Sequence, residues 1–128
     1  MLKLDHFAFE VTDMDRAVDF YENKLGLALK SRGVNEEVHE AYAFFQLQGC
    51  TLELLSNIQP GAAMPKLKEN PLNSPHLAFQ TNDMDSTLAM IRENGIPVIK
   101  GPLEIPGEER WVYIADPDGN VLEFIHWL

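Results

Sequence analysis

The stretch HFAFEVTDMD at residues 6–15 returns as HLAFQTNDMD at residues 76–85, an offset of 70. Six of the ten positions are identical: His6/His76, Ala8/Ala78, Phe9/Phe79, Asp13/Asp83, Met14/Met84 and Asp15/Asp85. Chance identity at ordinary residue usage is about 6% per position, so the chain is one unit written twice. The offset recurs at the far end of each half, where Gly49-Cys50-Thr51-Leu52-Glu53 lies over Gly119-Asn120-Val121-Leu122-Glu123.

Working outward from the repeat, each half opens on a short strand of alternating bulky and small or polar residues, near 4–11 and 76–81. A helix follows each strand. Asp13 and Asp83 have the side chain of an N-cap. Met14, Val18, Tyr21 and Leu25 recur at helical spacing, as do Met84, Leu88 and Ile91, and Gly26 and Gly95 supply the stop. Three strands are then expected in each half, near 28–32, 40–47 and 51–56, and near 97–100, 110–115 and 121–126. The run Asp116-Pro117-Asp118-Gly119-Asn120 reads as the turn joining the last two.

The expected fold is therefore α+β, two tandem βαβββ modules at 1–57 and 75–128 packed as one domain, with a cupped mixed sheet around a metal site. The 58–74 linker is broken by Pro60, Pro65 and Pro71, with one turn of helix expected at 65–69. Neither module is large enough to be comfortable on its own core, which is the reason for expecting one domain.

Ten basic against twenty acidic residues give a net charge of −10, a field that repels nucleic-acid phosphates and anionic lipid surfaces. The longest apolar runs, such as 41–45, are far short of the roughly 20 residues of a membrane-spanning helix. A single cysteine, Cys50, cannot close an internal disulfide, and a reducing cytoplasm is the expected compartment.

Side chains alternate across a strand, so His6, Ala8 and Glu10 share one face of the first strand while Phe7, Phe9 and Val11 face the helix. By the same rule His76, Ala78 and Gln80 stand opposite Leu77 and Phe79. Glu53 turns away from Leu52 and Leu54, and Glu123 away from Leu122 and Phe124. Each module thus offers one His and one Glu to the same surface. Two carboxylates brought together are costly unless a cation neutralises them, so His6, Glu53, His76 and Glu123 are the expected ligands of one divalent metal. Imidazole with carboxylate suits Zn, Ni, Co, Mn or Fe(II). His39 and His126 have no counterpart of their own type in the repeat and are expected to be solvated or at strand edges. Trp111 and Trp127 are expected in the core or at a contact between two copies.

The duplicated segments, extended to HFAFEVTDMDRAVDFYENKLGL and HLAFQTNDMDSTLAMIRENGI, together with DPDGNVLEF near the end, resemble the vicinal oxygen chelate superfamily over essentially the whole chain. That superfamily includes glyoxalase I, methylmalonyl-CoA epimerase, extradiol dioxygenases, and fosfomycin and bleomycin resistance proteins. The resemblance implies paired βαβββ modules cupping a metal, with the four glyoxalase I ligand positions falling on His6, Glu53, His76 and Glu123. It implies proton abstraction beside a carbonyl, with Glu123 and Glu53 as the catalytic acid/base pair, a small-molecule substrate, a thiol cosubstrate such as glutathione, and a homodimer.

Asn57 matches a family asparagine four residues beyond the Glu ligand, Glu37 lies near the epimerases' second catalytic carboxylate, and Trp111 is a candidate for the substrate pocket. The linker stretch at 63–70 is similar in style to the epimerases. Glu10 departs from the pattern, standing where glyoxalase I has a carboxylate-binding arginine. The leading expectation is a glyoxalase I-like lyase or isomerase acting on a small carbonyl compound or its thiol adduct. The alternatives are an epimerase of the methylmalonyl-CoA type and a metal-free binding protein of the drug-resistance type.

Overall fold

A computed structural model describes residues 1–63, 72 and 75–128. The helical turn expected at 65–69 and the epimerase-like stretch at 63–70 fall, apart from Ala63, outside the described residues. The chain divides into two compact units, Met1–Leu67 and Lys68–Leu128.

In the first unit, β1 (His6–Glu10) leads into α1 (Met14–Asp19), which continues as a π-helical segment, Phe20–Lys24. β2 (Ala28–Asn35), β3 (Glu40–Gln46) and β4 (Thr51–Asn57) follow. The sheet order is β1-β4-β3-β2, with β1 parallel to β4 and the other neighbours antiparallel. The second unit repeats this with β5 (Leu77–Gln80), α2 (Met84–Glu93), β6 (Val98–Ile105), β7 (Glu109–Ala115) and β8 (Val121–Trp127) in the order β5-β8-β7-β6. Each unit is the expected βαβββ module built on a mixed sheet.

Alternation explains the cores. In the first unit Ala41, Ala43 and Phe45 of β3 and Leu52 and Leu54 of β4 are buried, and α1 packs on those two strands. Met14, Val18 and Tyr21 supply the helix side, with the Tyr21 and Phe45 rings 5.7 Å apart. In the second unit Val112, Ile114 and Leu122 are buried beside Met84 and Ile91, and Phe79 stacks on Phe124 at 5.8 Å. Leu25, Leu88, Phe7 and Leu77 are only half-buried.

Three departures from the expected elements have local causes. The π-helical segment takes up one extra residue, since the helix-ending glycines Gly26 and Gly95 are 69 apart while the caps Asp13 and Asp83 are 70 apart. Leu25 N–H donates to Phe20 O, the wider five-residue spacing of a π turn. By element bounds the offset is 70 at β2 and β6, falls to 69 at β3 and β7 because the turn at 106–108 is one residue shorter than that at 36–39, and returns to 70 at β4 and β8 because the turn at 116–120 is one residue longer than that at 47–50. β2 and β6 both run further than expected, through bulges that break the simple alternation. β5 begins at Leu77, which leaves His76 just before the strand.

Both caps form as expected: the Asp13 carboxylate accepts from Arg16 N–H, and the Asp83 carboxylate from Ser86 N–H at 3.0 Å. The Ser86 backbone bond, then the Ser86 hydroxyl, hold the Asp83 carboxyl below its ordinary pKa. The Asp116 turn does more than reverse the chain. Its buried carboxylate accepts from Asp118 N–H and Asn120 N–H at 2.9 and 2.8 Å and from the Asn120 side-chain amide at 2.8 Å.

Leu122→Ala is expected to cost about 2–5 kcal/mol in chemical denaturation, while Val98→Ala on the exposed face stays within about 0.5 kcal/mol. For the cap, a lowered folded pKa means stabilisation present above the unfolded value and lost as pH falls through the folded one. Asp83→Ala should therefore lower the thermal midpoint at neutral pH and lose that effect in strong acid, which melting curves across the acid range will read.

Candidate metal and catalytic site

In each unit the first strand lies parallel to the last, and the register sets Ala8 against Glu53 and Ala78 against Glu123. Because the alanines project no further than a methyl group, the neighbouring histidines reach the carboxylates. His6 Nε2 lies 3.3 Å from Glu53 Oε2, and His76 Nε2 lies 2.8 Å from Glu123 Oε2. Two first-sphere N and O ligands at about 2.0–2.2 Å from a tetrahedral or octahedral ion stand about 2.8–3.5 Å apart. Both separations lie in that range, which is also that of the direct His–Glu contacts seen here, and the imidazole and carboxylate donors are of a type that fits a divalent metal.

The carboxylates are the more enclosed members, with side-chain exposures of 16% for Glu53 and 12% for Glu123. A carboxylate so covered needs a charged or hydrogen-bonding partner, and each has its histidine. Asp5 completes the first pair, its carboxylate 2.7 Å from His6 Nδ1. This outer contact orients the ring and leaves Nε2 toward Glu53, the arrangement that outer carboxylates give metal-binding histidines. The Asp5 hydrogen bond is the main reason the His6 pKa is raised; burial opposes it, and the charges of Glu53 and Asp5 add to it. The second module has Pro75 at the matching place and no carboxylate there. Among the described residues no group of three or more His, Cys, Asp or Glu side chains gathers into a metal cluster; each unit presents two donors.

Tyr113 is a site residue that the sequence reasoning missed. It is the cross-strand partner of Glu123, and its ring meets His76 edge to face at 5.5 Å. Burial first, and the nearby Glu123 charge second, push its phenol pKa up, while a hydrogen bond with Trp111 lowers it. The signal was available only through pairing, since the counterpart facing Glu53 is Phe44. Repeat identity therefore does not mark the position.

Trp111, two residues earlier on β7, shares the Glu123 face and is half-buried. Asn57 ends β4 on the Glu53 face, where its side-chain oxygen accepts from Gln59 N–H at 3.0 Å. Together with Glu10, His39 and Glu40 it lines a cavity of about 330 Å³. Glu37 is exposed in the β2–β3 turn, at the end of the sheet away from His6, and the structure does not bring it to the His6–Glu53 pair. His39 is exposed as expected, in a left-handed conformation with φ of 51°. His126, expected to be solvated or at a strand edge, is half-buried near the end of β8 on its helix side, and its Nδ1 is buried without a hydrogen-bond partner among the described residues.

The family model of the Glyoxalase/Bleomycin resistance protein/Dioxygenase superfamily matches residues 3–124, and the chain belongs to that superfamily. It is 28% identical over 123 residues to a metallothiol transferase FosB of Shouchella clausii, covering 94% of this chain and 77% of that protein. It is 29% identical over 125 residues to a probable lactoylglutathione lyase of Vibrio cholerae, covering 94% and 87%. Among solved structures it resembles TnmS3, an antibiotic binding protein from Streptomyces, with TM-score 0.73, 26% identity and coverage of 100% and 98%. No helix among the described residues is long and apolar enough to cross a membrane.

Two titrations test the local electrostatics. Asp5→Asn should bring the His6 pKa down toward the ordinary histidine value, read from ring-proton chemical shifts in metal-free protein. In the second unit, Glu123→Gln should lower the Tyr113 phenol pKa only in part, since burial is the larger cause, as ultraviolet titration will report.

Proposed function

We propose that this protein is a metal-dependent lyase or isomerase of the glyoxalase I type, acting on a small carbonyl compound or its thiol adduct. The observation that carries the reading is the equivalence of the two His–Glu pairs, each with a separation suited to neighbouring ligands of one ion. The reading takes the two modules as one domain and places His6, Glu53, His76 and Glu123 around a single divalent ion, within one chain or across a homodimer. A bound metal would act as a Lewis acid toward the carbonyl oxygen, and Zn, Ni, Co, Mn and Fe(II) all suit this donor set.

Glu123 takes a proton from the carbon next to the carbonyl and returns it to the neighbouring carbon, with Glu53 as its counterpart in the other module. His6 and His76 would hold the metal through Nε2, and Asp5, accepting from His6 Nδ1–H, would orient the first of these rings for it. Tyr113, beside Glu123, holds a protonated phenol near the carboxylate as the proton moves. Trp111 and Asn57 contribute to the walls of the substrate site, and a thiol cosubstrate such as glutathione is compatible with a reducing cytoplasm.

A second reading has a specific observation behind it. The likeness to an antibiotic binding protein favours a chain that holds a small molecule without turning it over. Metal content separates the two. Elemental analysis should find about one divalent ion per chain, weakened or lost in Glu53→Ala and Glu123→Ala, because removing one ligand removes most of such a site's affinity. Hemithioacetal turnover should then fall by about 10²–10⁴ in Glu123→Gln. A protein that stays metal-free after reconstitution would overturn the lyase reading and leave the binding reading.

A further inference from the structure

The first unit has a cavity of about 680 Å³ whose described lining residues all belong to that unit, with Lys3 and Lys30 among them. Phe44, Gln46 and Thr51 form part of the floor. Phe44 is the cross-strand partner of Glu53 and Thr51 that of His6, so the cavity opens on the sheet face that carries the His6–Glu53 pair.

Lys30 reaches it through a defect in the strand. The β2–β3 register passes from Leu29 directly to Ser31, so Lys30 is the extra residue of a bulge. In a regular strand Lys30 and Ser31 would face opposite sides of the sheet, yet both line this cavity. Lys3 comes from the segment before β1, which is tied down where Thr51 N–H donates to Asp5 O at 3.1 Å. Neither lysine forms an ion pair among the described residues, and the one carboxylate among the described lining residues, Asp5, is engaged with His6.

The same face is polarised along its length. At its other end Glu10 and Glu40 line the smaller cavity. In a chain with ten cations against twenty acids, two lysines aimed into one concavity stand against the average field.

We infer that this lysine-lined cavity is an anion subsite, in which Lys3 and Lys30 hold a carboxylate or phosphate group of the substrate beside the His6–Glu53 pair. The inference deepens the proposed lyase reading, since it names the charge of the compound to be turned over and the end of the face on which that charge docks. The substrate class is a small carbonyl compound, or its thiol adduct, with an anionic group at one end. That group would be repelled from the Glu10 end of the same face.

Cys50 lines the cavity and is the chain's single cysteine, so it serves as a reporter. The experiment follows alkylation of Cys50 in the full chain, kept metal-free with chelator, by anionic iodoacetate and neutral iodoacetamide. Inorganic phosphate, glutarate or chloride is added at matched ionic strength. In the parent, the iodoacetate to iodoacetamide rate ratio should exceed that of Lys3→Ala/Lys30→Ala by about tenfold, the low end of field-driven rate effects. Phosphate or glutarate should slow alkylation severalfold where chloride does not, and which of them protects names the anion class.

Lys30→Arg, which keeps the charge on the bulge, should retain protection and guards against a folding defect in the double variant. Equal protection by chloride, no protection by either anion, or protection unchanged in the double variant would overturn the inference. Because no metal or turnover enters the readout, a failed lyase reading with intact anion protection is distinguishable from the reverse.

Discussion

The parallel pairing of the first strand of each module with its last strand is the constraint on which the site depends. It sets two residues nearly fifty positions apart in sequence into adjacent places on one sheet face, with an alanine opposite each glutamate. A larger residue at Ala8 or Ala78 would fill the space through which the histidine meets the carboxylate. The helix packed on the opposite face holds the sheet there by burying Leu52 and Leu54 in one unit and Leu122 in the other. Hydrophobic burial on one side thus positions polar groups on the other, and alternation of side chains makes the two inseparable.

Duplication gives two equivalent pairs, and the departures from equivalence are chemically directed. The first pair has an outer carboxylate in Asp5 and an aromatic neighbour in Phe44; the second has Pro75 and Tyr113 in those places. His6 is therefore held between two carboxylates, whereas Glu123 has the Tyr113 phenol as its cross-strand neighbour. The two pairs are thus alike in residue type and unlike in their surroundings. Both units carry a bulge in the strand after the helix: in the first, Lys30 joins Ser31 on the cavity wall, and in the second, Lys100 pairs with Tyr113, the cross-strand neighbour of Glu123.

Membership of the superfamily settles the architecture and leaves the chemistry to the site, since relatives of similar identity include a thiol transferase and a probable lyase. The donor pairs and their spacing are what argue for metal-assisted proton transfer. Glu10 lies at the end of the face opposite the lysines, so the face carries acidic groups at one end and two lysines at the other.

The sequence by itself determined the duplication, the module type, the helix caps at Asp13 and Asp83, the apolar faces and the pairing of a histidine with a glutamate in each half. These are legible because strand alternation, helical spacing and capping are local rules acting over a few residues. Only the tertiary structure decided which neighbour each strand takes and in what register, and with it the places of Tyr113, Asp5 and Lys30. Tyr113 faces Glu123 through a cross-strand pairing, and Lys30 faces the cavity through a bulge. Neither carries a periodic signal, because a bulge is defined only against the partner strand. The extra residue of the first helix likewise shows in sequence only as an offset slipping from 70 to 69, and the backbone takes it up as a π turn, with Phe20 and Tyr21 still buried in the core.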